Sequence, residues 1–111
     1  MEREAKKLLL DILTSCRAIQ DFTAGKSFHD YEQTRQLRSA TEREFEVIGE
    51  ALNRLRKSAP DVAAKISSTE NIISFRNRII HGYDSVDDLI VWNTVQNDLP
   101  ALRAEVEKLA G

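Results

Sequence analysis

Proline, glycine and aromatic side chains are scarce in this chain, and each shortage removes a class of fold. Two Pro and four Gly among 111 residues are too few for the many turns of a sandwich or barrel of this size. Aromatics at 6% leave little for a surface that stacks single-stranded bases. The lone cysteine, Cys16, can form no internal disulfide and anchors no Cys-based metal site. No long hydrophobic run occurs: Leu8-Leu9-Leu10 is cut by Asp11, far short of the roughly 18 residues a spanning helix needs. The opening Met1-Glu2-Arg3-Glu4 mixes charges instead of building the basic start of an export signal. Together these absences predict a cytoplasmic chain with no membrane partner.

What remains is an abundance of Leu, Ala, Glu, Arg and Lys, the composition of helices. Charged residues make up 31% and apolar ones 41%. The apolar residues recur in stripes, which argues against disorder. The length fits one domain, residues 1–111. A net charge of −2 argues against bulk electrostatic binding of nucleic acid, but the average hides a segregation. Arg54 to His81 is rich in Arg and Lys, whereas Asp84 to Glu107 carries six acids against Arg103 alone. That pattern predicts a small positive site on an otherwise acidic protein.

The stripes predict an all-α, up-and-down four-helix bundle with a short extra helical turn. Helix one runs from Glu2 to Phe22 with Leu8, Leu9, Ile12, Leu13, Cys16 and Ile19 on one face, and Gly25 closes it. Ser27, with Asp30 three residues on, opens a long second helix as a capping box. Its stripe is Phe28, Tyr31, Leu37, Thr41, Phe45, Ile48, Leu52 and Leu55. About 30 residues would make a helix of roughly 45 Å, long enough to bend or break midway. Ser58-Ala59-Pro60 stops it, and Asp61 to Ile66 forms the short turn. Thr69 caps a third helix through Ile72, Ile73, Arg76, Ile79 and Ile80, ended by Gly82. Ser85 with Asp88 starts a last helix with Leu89, Trp92, Val95, Leu99, Leu102, Val106 and Leu109 as its stripe, kinked at Pro100.

The chemistry concentrates in Arg76-Asn77-Arg78-Ile79-Ile80-His81-Gly82-Tyr83-Asp84. Arginine offers a planar fork for a phosphate. Histidine titrates near neutrality and can take or give a proton, and tyrosine adds a phenolic hydrogen bond. Residues five apart on a helix lie about 140° apart, so Arg76 and His81 would share a face only if Gly82 ends the helix and frees His81. The trio reads as a phosphate-handling site, with Asn77 and Arg78 as supporting contacts.

This segment resembles the Arg-x4-His-x-Tyr signature of the HEPN superfamily, in particular the HepT-like toxins. Thr23-Ala24-Gly25-Lys26-Ser27, Ile48-Gly49-Glu50-Ala51, Val86-Asp87, Trp92 and Leu99-Pro100 fall in the matching order along nearly the whole chain. The resemblance implies an RNA endonuclease that needs no metal and no cofactor, working as a symmetric homodimer with the motifs of both subunits facing one cleft. It also implies a partner, a small MNT-type nucleotidyltransferase antitoxin, which in some systems adds AMP to the motif tyrosine, here Tyr83. The chemistry itself points to two copies. Cleavage by 2′-hydroxyl attack needs a base, an acid and a positive group, and a two-fold interface would supply two copies of His81 and Arg76.

Each assignment has a structural rival. Arg76 could pair with a carboxylate such as Glu50, His81 could be a buried structural histidine, and Tyr83 could only pack against the last helix. Asn77 could bond the helix end, and Asp84, Asp87 and Asp88 complement a helix dipole rather than bind a metal. The alternative function is a non-catalytic nucleotide-binding or adaptor module on the same bundle, partnering a nucleotidyltransferase. A histidine phosphotransfer bundle fits less well, because His81 sits before Gly82 at a helix end instead of in mid-helix.

Overall fold

Stripes with a period of 3.6 can be buried only helix against helix, and that is the arrangement found. The computed structural model describes residues 2–81 and 86–111, and every regular element among the described residues is helical. In chain order these are α1 (Arg3–Thr23), α2 (Phe28–Gln33), α3 (Arg35–Ser58), α4 (Pro60–Ala63) and α5 (Thr69–His81). After the undescribed residues come α6 (Asp88–Asn93), a π-helical turn (Thr94–Asp98) and α7 (Leu99–Ala110). The helix α1 packs on α3 and α7, α3 packs on α5, and α2 bridges α3 and α6.

The predicted stripes form the core. Leu9, Ile12, Cys16 and Ile19 of α1 meet Phe45, Ile48, Leu52 and Leu55 of α3 and Leu99, Leu102 and Val106 near the C-terminus, all fully buried. Phe45 and Phe75 stack edge to face across α3 and α5, with centroids 5.1 Å apart at 81°. Gly25, at φ +72°, supplies the left-handed residue after α1. The Ser27 capping box is present: the Asp30 amide donates to the Ser27 hydroxyl at 3.1 Å, and the Ser27 amide donates to the Asp30 carboxylate at 2.9 Å.

Three boundaries differ from expectation. The long second helix breaks early instead of midway, at Thr34, whose extended backbone (φ −112°, ψ 96°) ends α2 and starts α3. The Thr34 hydroxyl donates back to the Asp30 carbonyl at 2.7 Å, a local bond that competes with helix continuation. The short turn begins at Pro60 itself, where a missing N–H is harmless. Ahead of Pro100 the chain widens into the π-helical turn Thr94–Asp98, so the irregularity begins upstream of the proline. A proline ring clashes with the carbonyl four residues back, here Gln96, and the wider turn relieves it. Ser85 lies outside the described residues; the residue seen capping α6 is Asp87, whose carboxylate accepts from the Leu89 amide at 2.9 Å and the Ile90 amide at 3.3 Å. Leu89, placed in the last stripe by its spacing, is instead 49% exposed, and Val91 takes the buried position.

At the junction of α2, α3 and α6 an apolar pair sits beside carboxyls. Tyr31 is fully buried against Trp92, rings 5.6 Å apart, and its hydroxyl has no hydrogen-bond partner among the described residues. Burial pushes the Glu42 carboxyl above its ordinary range, Asp88 adds to the rise, and Arg38 offsets part of it. Asp88 is raised too, first by burial, with Arg38 opposing and Glu32 and Asp87 adding.

Two outcomes follow from this packing. A Cβ built on Gly49 of α3 would lie 2.3 Å from the Cβ of Arg76 on α5, so Gly49→Ala must push the helices apart, costing about 1–3 kcal/mol; a urea midpoint equal to wild type would contradict the close approach. The raised carboxyls bind a proton more tightly when folded. Their contribution is therefore present at acid pH and is lost as pH climbs from the unfolded toward the folded pKa. Glu42→Gln should accordingly raise the urea midpoint at neutral pH relative to wild type, and the gain should shrink in mild acid.

Candidate phosphate-handling site

The helix α5 carries the motif, and its burial pattern fixes where each motif residue points. Its start is tied to the preceding turn by the Thr69 hydroxyl, near the Ile66 carbonyl at 3.1 Å and the Ala63 carbonyl at 3.3 Å. Ile72, Ile73, Phe75 and Ile79 are buried, which orients the remaining faces. His81 is the last residue of α5 and still helical, so at the chain position of His81 itself the helix has not released it. Arg76 and His81 leave the axis about 140° apart, whereas Arg78 and His81, three residues apart, share a face.

Arg76 lies along α3. Its Cβ, Cγ and Nε occupy the space a side chain at Gly49 would take, the Nε only 3.3 Å from that missing Cβ. One guanidinium nitrogen, Nη1, is 3.5 Å from Oε2 of Glu50, and the Arg76 side chain is only 14% exposed. This is an ion pair longer than a hydrogen bond. The other Glu50 oxygen accepts from Arg54 Nε at 3.0 Å. The Arg76 Nε is buried with no hydrogen-bond partner among the described residues. A buried donor without a partner costs about 1–3 kcal/mol. The pairing with Glu50 that the sequence offered as a rival reading is therefore present, but it satisfies the guanidinium only in part.

His81 and Arg78 line a pocket of about 310 Å³ between α5 and the start of α6. Phe75, Ile79, Val86 and Ile90 supply its apolar wall, and Asp87 faces the two basic residues from the α6 side. His81 is exposed, as are Asn77 and Arg78, which removes the reading of His81 as a buried structural residue. The arrangement brings together a histidine able to move a proton and a guanidinium able to bind a phosphate, with a second guanidinium, Arg76, on another face of the same helix. Tyr83 and Asp84 lie outside the described residues.

The remaining candidates sort by burial. Cys16 is fully buried, and burial pushes its thiol up to about 12, far from a nucleophilic thiolate. His29 is exposed near the start of α2. Among the described residues no group of three His, Cys, Asp or Glu side chains is placed to hold a metal ion, and no helix is long and apolar enough to cross a membrane. The sequence offered Glu50 as a partner for Arg76, but gave no role to Gly49, because nothing in the sequence says that α5 crosses α3 at that point.

Comparison with known proteins identifies the family. The sequence model described as "Ribonuclease HepT-like" matches residues 12–109. A Methanocaldococcus jannaschii protein named "Putative RNase MJ1380" is 32% identical over 110 residues, covering 96% of each chain. "Probable ribonuclease HepT" of Thermococcus cleftensis is 32% identical over 109 residues, covering 98% of each chain. No solved structure matches. A match to the family model over residues 12–109, with relatives 32% identical over nearly the full length, means that the chain belongs to the HepT-like ribonuclease family of the HEPN superfamily.

Proposed function

We propose that this protein is a metal-independent RNA endonuclease of a HEPN/MNT toxin–antitoxin pair, acting as a homodimer of up-and-down four-helix subunits. The observation that carries the reading is the exposed His81 beside Arg78 at the mouth of a pocket, with Arg76 under-satisfied on the same helix. One histidine takes the proton of a ribose 2′-hydroxyl, whose oxygen attacks the adjacent phosphorus. A second proton carrier protonates the departing 5′-oxygen. The products are a 2′,3′-cyclic phosphate and a 5′-hydroxyl, with no bond left to the protein. Arg76 binds the phosphate and stabilises charge in the transition state, while Arg78 and Asn77 hold the flanking backbone.

Two proton carriers around one phosphate require two copies of His81, and hence a two-fold pair. Support comes from Ile80 and Leu89, which stand 42% and 49% exposed near His81 and Asp87, where an apolar interface would cover them. The partner in this reading is an MNT-type nucleotidyltransferase, with the Tyr83 hydroxyl as acceptor for AMP.

The tests are direct. His81→Ala should abolish cleavage of RNA while the circular dichroism spectrum stays helical, and Arg76→Ala should lower cleavage by about 10²–10³-fold. Full activity of His81→Ala, or activity lost to EDTA and restored by magnesium, would remove the mechanism; binding of RNA without cleavage would favour an adaptor module. Sedimentation should give a dimer at micromolar concentration, and a monomer there speaks against the shared site. Tyr83→Phe incubated with ATP and the nucleotidyltransferase should gain no adenylyl mass.

A further inference from the structure

We infer that Glu50 is the positioning residue for Arg76, an inference that rests on the ribonuclease reading for its catalytic consequence. Glu50 does not line the His81 pocket, and its contact with the motif is the Arg76 guanidinium. Its carboxylate is fixed from two sides: Arg54 Nε holds Oε1 at 3.0 Å from one turn along α3, and Arg76 Nη1 stands 3.5 Å from Oε2.

The neighbouring Gly49 completes the device. With no side chain there, the Arg76 stem occupies the space beside the α3 backbone, and its head reaches Glu50. A long arginine side chain has many rotamers, and holding it in one of them is what a transition-state contact needs. The pair fixes one nitrogen of the fork and leaves Nε without a protein partner among the described residues. Nε is buried, so an anion reaching Arg76 would meet the Nη end of the fork, which a full bidentate clamp by Glu50 would consume. The 3.5 Å separation, longer than a hydrogen bond, fits a contact that orients the cation without competing with phosphate for it.

Glu50 is half exposed, so Glu50→Gln keeps the shape and the fold and removes only the charge. The experiment is a double-mutant cycle on RNA cleavage by the full chain with wild type, Glu50→Gln, Arg76→Ala and the double variant. Glu50→Gln alone should lower the rate at saturating RNA on the order of tenfold. In the Arg76→Ala background it should change nothing, because its effect passes through Arg76. Arg54→Met, which breaks the other half of the clamp, should show a smaller loss with the same dependence on Arg76. Wild-type rates in Glu50→Gln, or an equal loss with and without Arg76, would overturn the proposal.

A second readout needs no activity. The Arg76 Nε–Hε resonance should shift and exchange faster with solvent in Glu50→Gln, and an unchanged resonance overturns the proposal too. Should the wild type cleave no RNA, the ribonuclease reading falls, and this resonance alone decides whether Glu50 holds Arg76.

Discussion

The site depends on how closely α5 can approach α3. Gly49 is buried on α3 at the crossing, and the missing Cβ is where the Arg76 stem lies. Around that point the edge-to-face pair Phe45–Phe75 and the buried Ile48, Ile72 and Ile79 seal the seam with apolar contacts. A glycine inside a helix normally weakens it by roughly 0.5–1 kcal/mol relative to alanine. Here the loss is offset by a tighter helix pair, and the same vacancy sets the direction of the one mostly buried arginine of the motif. Packing and chemistry are thus joined at a single backbone position.

A regular helix to His81 partitions the motif residues. Arg76 is turned toward α3 and Glu50, while Arg78 and His81 are turned toward α6 and the pocket. Within one chain a phosphate seated at His81 meets Arg78 before Arg76. In the dimer proposed above, separate faces of α5 from two copies would contribute to the same substrate. The partly satisfied guanidinium has the same sense, since a cation that its own chain fully neutralised would have little left for a phosphate.

The stripes made the helices legible because burial in this chain is almost entirely apolar and periodic. Leu8 to Ile19, Phe45 to Leu55 and Leu99 to Val106 each read correctly as core from spacing alone. Where reading failed, a local bond or a steric clash outweighed the period. Thr34 breaks the second helix by bonding Asp30, and Pro100 is absorbed by a wider turn upstream. Leu89 matches the stripe in sequence but falls in the first turn of α6, outside the packed face. At the site, the motif was visible as residue types at a spacing. The Arg76–Glu50 pairing was visible as one option, but the role of Gly49 was not, because it arises from a contact between residues 27 positions apart on different helices.

The charge segregation noticed along the chain becomes two walls of one pocket. The α5 wall carries Arg78 and His81, and the α6 wall begins at Asp87, whose carboxylate is already engaged in capping its own helix. Asp88 and Glu42 both have raised proton affinity, first because burial disfavours their charge, with Asp88 adding to the rise of Glu42 and Glu32 and Asp87 to that of Asp88. A polyanion entering between these walls is drawn to the α5 side and repelled from the α6 side. Its phosphates are thereby steered to the face where the proton carrier sits, and its uncharged parts toward the apolar surface of Ile79, Val86 and Ile90. On the proposed reading, the negative overall charge and the localised basic helix are complementary: attraction for RNA would be strongest along the edge of α5 that carries Arg78 and His81.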